Sequence, residues 1–302
     1  MESSSSRGNK QTRGGVTSPL AVYGQTDVGK IRSNNEDCFK VLVAKDAPDG
    51  IDAIMVVADG MGGHAAGEVA SAMTVDSVVR HLTTKSPKAA NPDGDYSHLL
   101  GQILSEVNRE VCLAGQNPEH QGMGTTCTAA VVKGNQLHIA HVGDSRGYIL
   151  GAGKLVQITK DHSWVGEQVE AGNLTLEQAA NHPHRNVVTR AIGIDEDVQA
   201  YTLVKSVGPG DRVLLCSDGL HSVVGNSDIE AVLRSGDVKS ACERLIALAN
   251  ANGGPDNITV TVADIGESDL GNPASPVDYK STKPKKSRTQ LGFLGWIINK
   301  LK

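Results

Sequence analysis

Short apolar runs punctuated by Gly, Asp and Ser dominate the middle of the chain: AIMVVAD (53–59), CTAAVV (127–132), QLHIAHV (136–142), GYIL (147–150), KLVQI (154–158), DRVLLCS (211–217) and NITVTVAD (257–264). Their length and β-branched content predict strands. Longer stretches with apolar positions at helical spacing predict helices over 66–84, 97–114 and 228–250, the last split in two near Ser235-Gly236. Gly134-Asn135 and Gly151-Ala152-Gly153 lie between apolar runs and predict hairpin turns, so much of the sheet is expected to be antiparallel. Strands outnumber helices without strict alternation, which points to an α+β layered fold rather than a doubly wound one. The segment 165–200 is polar and reads as helical to irregular.

The ends differ from this middle. Residues 1–18, rich in Ser, Gly and charge, read as a flexible leader, residues 19–265 as the folded domain, and residues 266–289, rich in Pro, Ser and Lys, as a linker. Over 290–302, Leu291, Leu294, Ile298 and Leu301 share one helical face widened by Phe293, Trp296 and Ile297. That pattern predicts a short basic amphipathic helix, suited to peripheral contact with an anionic membrane surface or a partner protein.

Composition narrows the class. The chain has 302 residues, 39% of them hydrophobic and 21% charged, which excludes collagen-like and mainly disordered chains. Five scattered cysteines without a CxxC pair fit free thiols in a reducing compartment. With a polar N-terminus and no apolar run long enough to span a bilayer, the expected location is the cytoplasm, peripheral to the inner membrane surface if the 290–302 helix anchors there. The total charge of −5 hides an asymmetry: residues 1–18 carry +2 and residues 280–302 carry +7, leaving −14 for residues 19–279. An acidic body without a basic stripe argues against a nucleic-acid partner. A monomer is expected.

The candidate chemistry lies in a repeated pattern. Apolar runs end in Asp59-Gly60 and Asp218-Gly219, Asp144 follows another, and Asp256 stands just ahead of ITVTV. Such a strand end delivers a carboxylate to the rim of a sheet, where glycine permits close approach. One Asp-Gly is an ordinary turn. Several in one chain, with Asn34-Asn35-Glu36-Asp37 upstream, point to carboxylates held together by hard cations such as Mg²⁺ or Mn²⁺.

These residues carry a family resemblance. TDVGKIRSNNED (26–37), ADGMGGH (58–64), GMGTT (122–126), VGDSR (142–146), DHS (161–163), CSDGL (216–220) and GPDNIT (254–259), in that order, resemble the PP2C (PPM) metal-dependent serine/threonine protein phosphatases, most of all the bacterial members. The resemblance implies a four-layer α-β-β-α sandwich of two mainly antiparallel sheets flanked by helices, with two Mn²⁺ or Mg²⁺ ions at one end. It implies that Asp59, Asp218 and Asp256 hold the first ion. Asp59 then bridges to a second ion that the Gly60 carbonyl and Glu36 or Asp37 also reach, directly or through water. Asp144 with Asp218 matches a third, weaker position. Arg32 corresponds to the phosphate-binding arginine and His64 to the general acid. The implied activity is hydrolysis of phosphoserine and phosphothreonine in proteins phosphorylated by a serine/threonine kinase, by direct attack of a metal-activated bridging water or hydroxide. The alternative is a family fold kept as a regulatory scaffold with weak catalysis.

Two other motifs point elsewhere. Residues 143–147 fit G-x-S-x-G with Ser145 as nucleophile, but that elbow needs a helix after the turn, and residues 148–156 read as strand, turn, strand. Residues 24–31 fall one residue short of a P-loop, with Ile31 where Ser or Thr would bind Mg²⁺. Both are set aside. His182 and His184 lack a third ligand for a metal site, and Asp161 and Ser163 read as supporting or capping residues.

Overall fold

The computed structural model describes residues 20–43, 45–48, 50–62, 66–85 and 95–266. The first three strands are β1 (Ala21–Asp27), β2 (Asp37–Val43) and β3 (Ala53–Met61), followed by helices α1 (Ala66–Lys85) and α2 (Tyr96–Ala114). A two-residue β4 (Gly124–Thr125) leads into β5 (Cys127–Lys133), β6 (Gln136–Val142), β7 (Arg146–Gly151) and β8 (Lys154–Gln157). The polar segment folds as α3 (Trp164–Glu170), α4 (Leu176–Ala180) and irregular chain, then returns through β9 (Tyr201–Ser206). The order closes with β10 (Arg212–Cys216), α5 (Asp218–His221), α6 (Asn226–Leu233), α7 (Val238–Ala251) and β11 (Ile258–Asp264).

Two sheets result, with strand orders β1-β11-β10-β7-β8 and β2-β3-β5-β6-β9, β4 adding to the end of β3; every described strand pair is antiparallel. The continuous apolar run of β3 follows from this layering. Ile54, Val56 and Ala58 pack against α1 and α2, while Ala53, Met55 and Val57 face the other sheet. In β10, Leu214 and Cys216 pack against α5–α7, and Val213 and Leu215 face inward. A strand buried on both faces has no polar alternation. Three apolar layers thus separate helices, sheet, sheet and helices, the α-β-β-α sandwich.

Local chemistry sets the boundaries. Asp95 caps α2 by accepting from the Ser97 and His98 amides, and Asp237 caps α7 by accepting from Ser240. Gly236, at φ +81°, divides α6 from α7 where the sequence predicts the break. The β7–β8 turn places Ala152 and Gly153 at φ 48° and 76°, the two positive angles of a type I′ hairpin.

The hydrophobic pattern did not predict β1, β2, β9 or the short β4. Strands β1, β2 and β9 contain mostly half-buried residues and mix polar with apolar positions, so they lack the apolar density of β3 or β5. All five cysteines are free thiols. No helix among the described residues is long and apolar enough to cross a membrane. The leader (1–18), residues 267–289 of the expected linker, the expected helix at 290–302 and His64 lie outside the described residues.

Candidate active site

Six acidic residues named from the sequence, Glu36, Asp37, Asp59, Asp144, Asp218 and Asp256, come from five separated stretches of chain and meet at one end of the sandwich. In the β2–β3 ladder Asp37 stands directly opposite Asp59. Across the interface, Asp218 opens α5 directly after β10, and Asp256 precedes β11, the neighbour of β10. Asp144 lies in the turn after β6 and is 8% exposed.

Each is fixed by the backbone beneath it. The Asp59 amide donates to Thr126 Oγ1 (3.0 Å), and its carbonyl accepts from Thr126 N (2.9 Å) and Thr125 Oγ1 (2.8 Å). Gly60 donates to the Glu36 carbonyl (3.1 Å), and an added Cβ would lie 2.3 Å from the Gly67 carbonyl oxygen and 2.4 Å from that of Glu36. Glycine here lets α1 and the Glu36 segment close over the Asp59 strand end. At Gly219 an added Cβ would lie 1.9 Å from the Asn257 carbonyl oxygen, so the Asp218 turn and the Asp256 segment touch backbone to backbone. The Asp144 carbonyl accepts from His221 Nε2 (3.0 Å), and Gly143 beside it adopts φ +108°.

The electrostatics are those of crowded carboxylates. Burial, then repulsion from Asp218 and Asp256, raises the Asp37 carboxyl, although Thr259 and Ser217 hydrogen-bond its charged form; the Ser217 hydroxyl donates at 2.7 Å. Burial followed by Asp37, Asp218, Asp144 and Asp256 lifts Asp59 well above the usual carboxylate range. Asp144 is raised by burial and then by Asp218, and Asp218 by burial and then by Asp256. A hydrogen bond with Asp59 partly offsets the rise at Asp218. Arg32 reaches in from an exposed loop and donates through Nη2 to Asp256 Oδ2 at 2.8 Å. Burial acts against its charge, but Asp256 first, then Glu36 and Asp59, raise its pKa.

Whether these residues suit divalent cations is a matter of donor type and of geometry. The donors are all hard oxygens, and four carboxyls resist ionising side by side unless positive charge enters, so the donor chemistry fits Mg²⁺ or Mn²⁺. Among the described residues, however, no group of three His, Cys, Asp or Glu side chains is drawn together around a single point. Asp37 is turned toward Ser217 and Thr259, and Asp256 toward Arg32 and the Asn257 amide (2.9 Å). The fit is one of chemistry rather than of preformed ligand geometry.

Supporting residues that the pattern did not single out are Ser217, Asn257 and Arg146. Arg146 forms a forked pair with Asp161, with Nε–Oδ1 at 3.0 Å and Nη2–Oδ2 at 2.7 Å. Burial pushes Asp161 up, but Arg146 holds it below the usual value. Ser163 caps α3 by accepting from Gly166 (3.1 Å). All three missed residues stood inside motifs already in view, but a hydrogen bond between distant segments leaves no trace in local spacing.

The rejected motifs are explained. Ser145 is fully buried, bonded to Thr126 Oγ1 (2.7 Å) and followed by strand β7, so it is no exposed nucleophile. The P-loop-like segment is strand β1 running into an irregular loop, with no helix after it. His182 and His184 pack around the Trp164 ring at centroid distances of 4.7 and 5.3 Å. A groove of about 470 Å³ lined by Lys154, Lys160, Lys205 and Tyr201 lies along β8, and the acidic residues do not line it.

Comparison with known proteins places the chain in a family. The family model for protein phosphatase 2C matches residues 32–258. The serine/threonine protein phosphatase PstP of Mycobacterium tuberculosis is 39% identical over 257 residues, which are 85% of this chain and 47% of the relative, so the chain spans about half that protein's length. The serine/threonine phosphatase stp of Listeria monocytogenes is 40% identical over 255 residues, covering 83% of this chain and 98% of the relative. Among solved structures, the PstP catalytic domain in complex with two manganese ions superposes with a TM-score of 0.70 at 37% identity, covering 82% of this chain and 99% of that one.

Proposed function

The chain belongs to the protein phosphatase 2C family, and from that premise we propose that it is a metal-dependent hydrolase acting on phosphoserine and phosphothreonine in proteins. The observation that carries this reading is the crowding of the buried Asp37, Asp59, Asp144, Asp218 and Asp256 carboxyls against one another, with Arg32 beside them. In this reading Asp59, Asp218 and Asp256 hold one cation. Asp59, the Gly60 carbonyl and Glu36 or Asp37 hold a second, and Asp144 with Asp218 a third, weaker one. When bound, the ions supply Lewis acidity and a water made acidic enough to attack phosphorus without a covalent intermediate.

The protein's own groups do the rest. The Arg32 guanidinium offers a planar fork matched to phosphate oxygens and counters carboxylate charge where a dianion must approach. The departing Ser or Thr oxygen is a poor leaving group, and we assign His64 as the acid that protonates it, a contribution of ~10²–10⁴-fold. The substrates in this reading are products of a serine/threonine kinase, met by a monomeric enzyme in the cytoplasm. Contact with a membrane surface or a protein partner is assigned to residues 290–302.

The test is Mn²⁺-dependent phosphate release from p-nitrophenyl phosphate and a phosphothreonine peptide. Asp218→Asn is expected to abolish it, since that carboxylate serves two of the assigned positions. Metal-independent turnover, or full activity in that variant, overturns the mechanism. No turnover at all in the wild-type protein favours the scaffold alternative.

A further inference from the structure

The loop that carries Arg32 has little structure of its own. Residues 28–36 run between β1 and β2 outside any helix or strand, and residues 31–34 are exposed. Arg32 itself has a side chain 52% exposed, paired among the described residues by one nitrogen to Asp256. An arginine on an untethered loop loses its fork geometry to chain entropy.

One buried side chain ties down both ends of this loop. Asn257 is 5% exposed. Its Nδ2 donates to the Val28 carbonyl (3.0 Å) and the Asn34 carbonyl (2.8 Å), and its Oδ1 accepts from the Glu36 amide (2.8 Å). Both amide protons and the amide oxygen are therefore spent on main-chain atoms that flank Arg32. Asn257 is itself immobilised: its backbone amide donates to Asp256 Oδ1 (2.9 Å), and its carbonyl lies against Gly219 with no room for a Cβ. The loop also rests directly on the neighbouring segment, with Lys30 N donating to the Gly254 carbonyl (2.7 Å). Gly29 there adopts φ +82°, and an added Cβ would lie 2.2 Å from the Asp256 carbonyl oxygen.

We propose that Asn257 is a positioning residue that clamps the 28–36 loop and thereby sets Arg32 for phosphate. The proposal rests on the phosphatase reading for its phosphate half and on geometry alone for the clamp. Asn257 touches no substrate; it acts through Arg32.

The experiment has two arms, run on the full chain as Asn257→Leu, which keeps the branched shape of the side chain and loses all three bonds, and as Asn257→Ser, a smaller side chain too short to span the loop. Trypsin cuts after Lys30 and Arg32, so native-state digestion reads the clamp without any turnover. Cleavage at those two sites is expected to quicken at least tenfold, with other sites unchanged. In the second arm, inorganic phosphate is titrated as an inhibitor of p-nitrophenyl phosphate hydrolysis at saturating Mn²⁺. Its inhibition constant is expected to rise about tenfold in the Asn257 variants and in Arg32→Ala. The Asn257→Leu, Arg32→Ala pair is expected to add nothing to Arg32→Ala alone. A purely structural asparagine would lower the melting temperature and leave phosphate affinity untouched, which overturns the proposal. Unchanged cleavage, or independent additive losses in the double variant, overturns it as well. If the wild-type protein hydrolyses nothing with Mn²⁺, the phosphatase reading fails and takes the phosphate half with it, while the digestion arm still decides the clamp.

Discussion

His138 lies on β6 with 2% exposure, both ring nitrogens lack a hydrogen-bond partner among the described residues, and the Tyr96 ring packs edge-on at 5.7 Å. Burial pushes its pKa down to about 4; Asp95 opposes the shift and Lys133 adds to it. The folded state therefore keeps His138 neutral while the unfolded chain takes up a proton near pH 6.5. The stability that a neutral His138 contributes is full above that pH and is lost as pH falls toward about 4, a loss on the order of 3 kcal/mol. Denaturant unfolding of the wild type and His138→Phe from pH 7 to 4 should show their difference shift by that amount in favour of the variant; a pH-independent difference refutes the account. Gly219 is a second residue whose identity is forced. Gly219→Ala puts a methyl 1.9 Å from a backbone oxygen that cannot rotate away. We expect a loss of about 1–3 kcal/mol in stability together with loss of turnover, read by unfolding and by phosphate release.

Strands β3, β5, β6, β7, β8, β10 and β11 were legible in the chain because apolar density and flanking turns are local signals. Helices α1, α2 and the α6–α7 break were legible through their spacing and through Gly236. Substituting Gly236→Ala forces an L-residue to φ +81°, and a destabilisation of about 1–2 kcal/mol is expected in denaturant titration. Strand β1 was hidden by Gly24, and the reason lies in another sheet. The Phe39 ring of β2 lies over that glycine, so that an added Cβ would be 2.4 Å from its Cε2. A glycine that weakens a strand by local propensity is here required by a partner distant in the fold. Strand β9 was hidden because it is an edge among the described strands, paired there with β6 and carrying exposed Lys205 and Ser206.

At the scale of the molecule, the two sheets share a core that includes Met55, Val57, Leu137, Ile139, Val213 and Leu215. Leu215→Ala should cost 2–5 kcal/mol, on the order usual for a buried leucine, and should loosen the active end, since β10 leads directly into Asp218. Adding Mn²⁺ is expected to raise the melting temperature by mass action and EDTA to reverse it; no shift in thermal denaturation at millimolar Mn²⁺ would count against the assigned cation positions. What the sequence determined by itself was the kind of element in each strongly apolar stretch and the chemistry of the residues at strand ends, because both are written in neighbouring positions. It also carried the family, through seven short motifs in order. Only the tertiary structure decided that Asp37 faces Asp59, that Asp218 meets Asp256, and that Asn257 holds the Arg32 loop. Those contacts join residues up to 229 positions apart. They are set by strand order and by the packing of one sheet on the other, which no local spacing encodes.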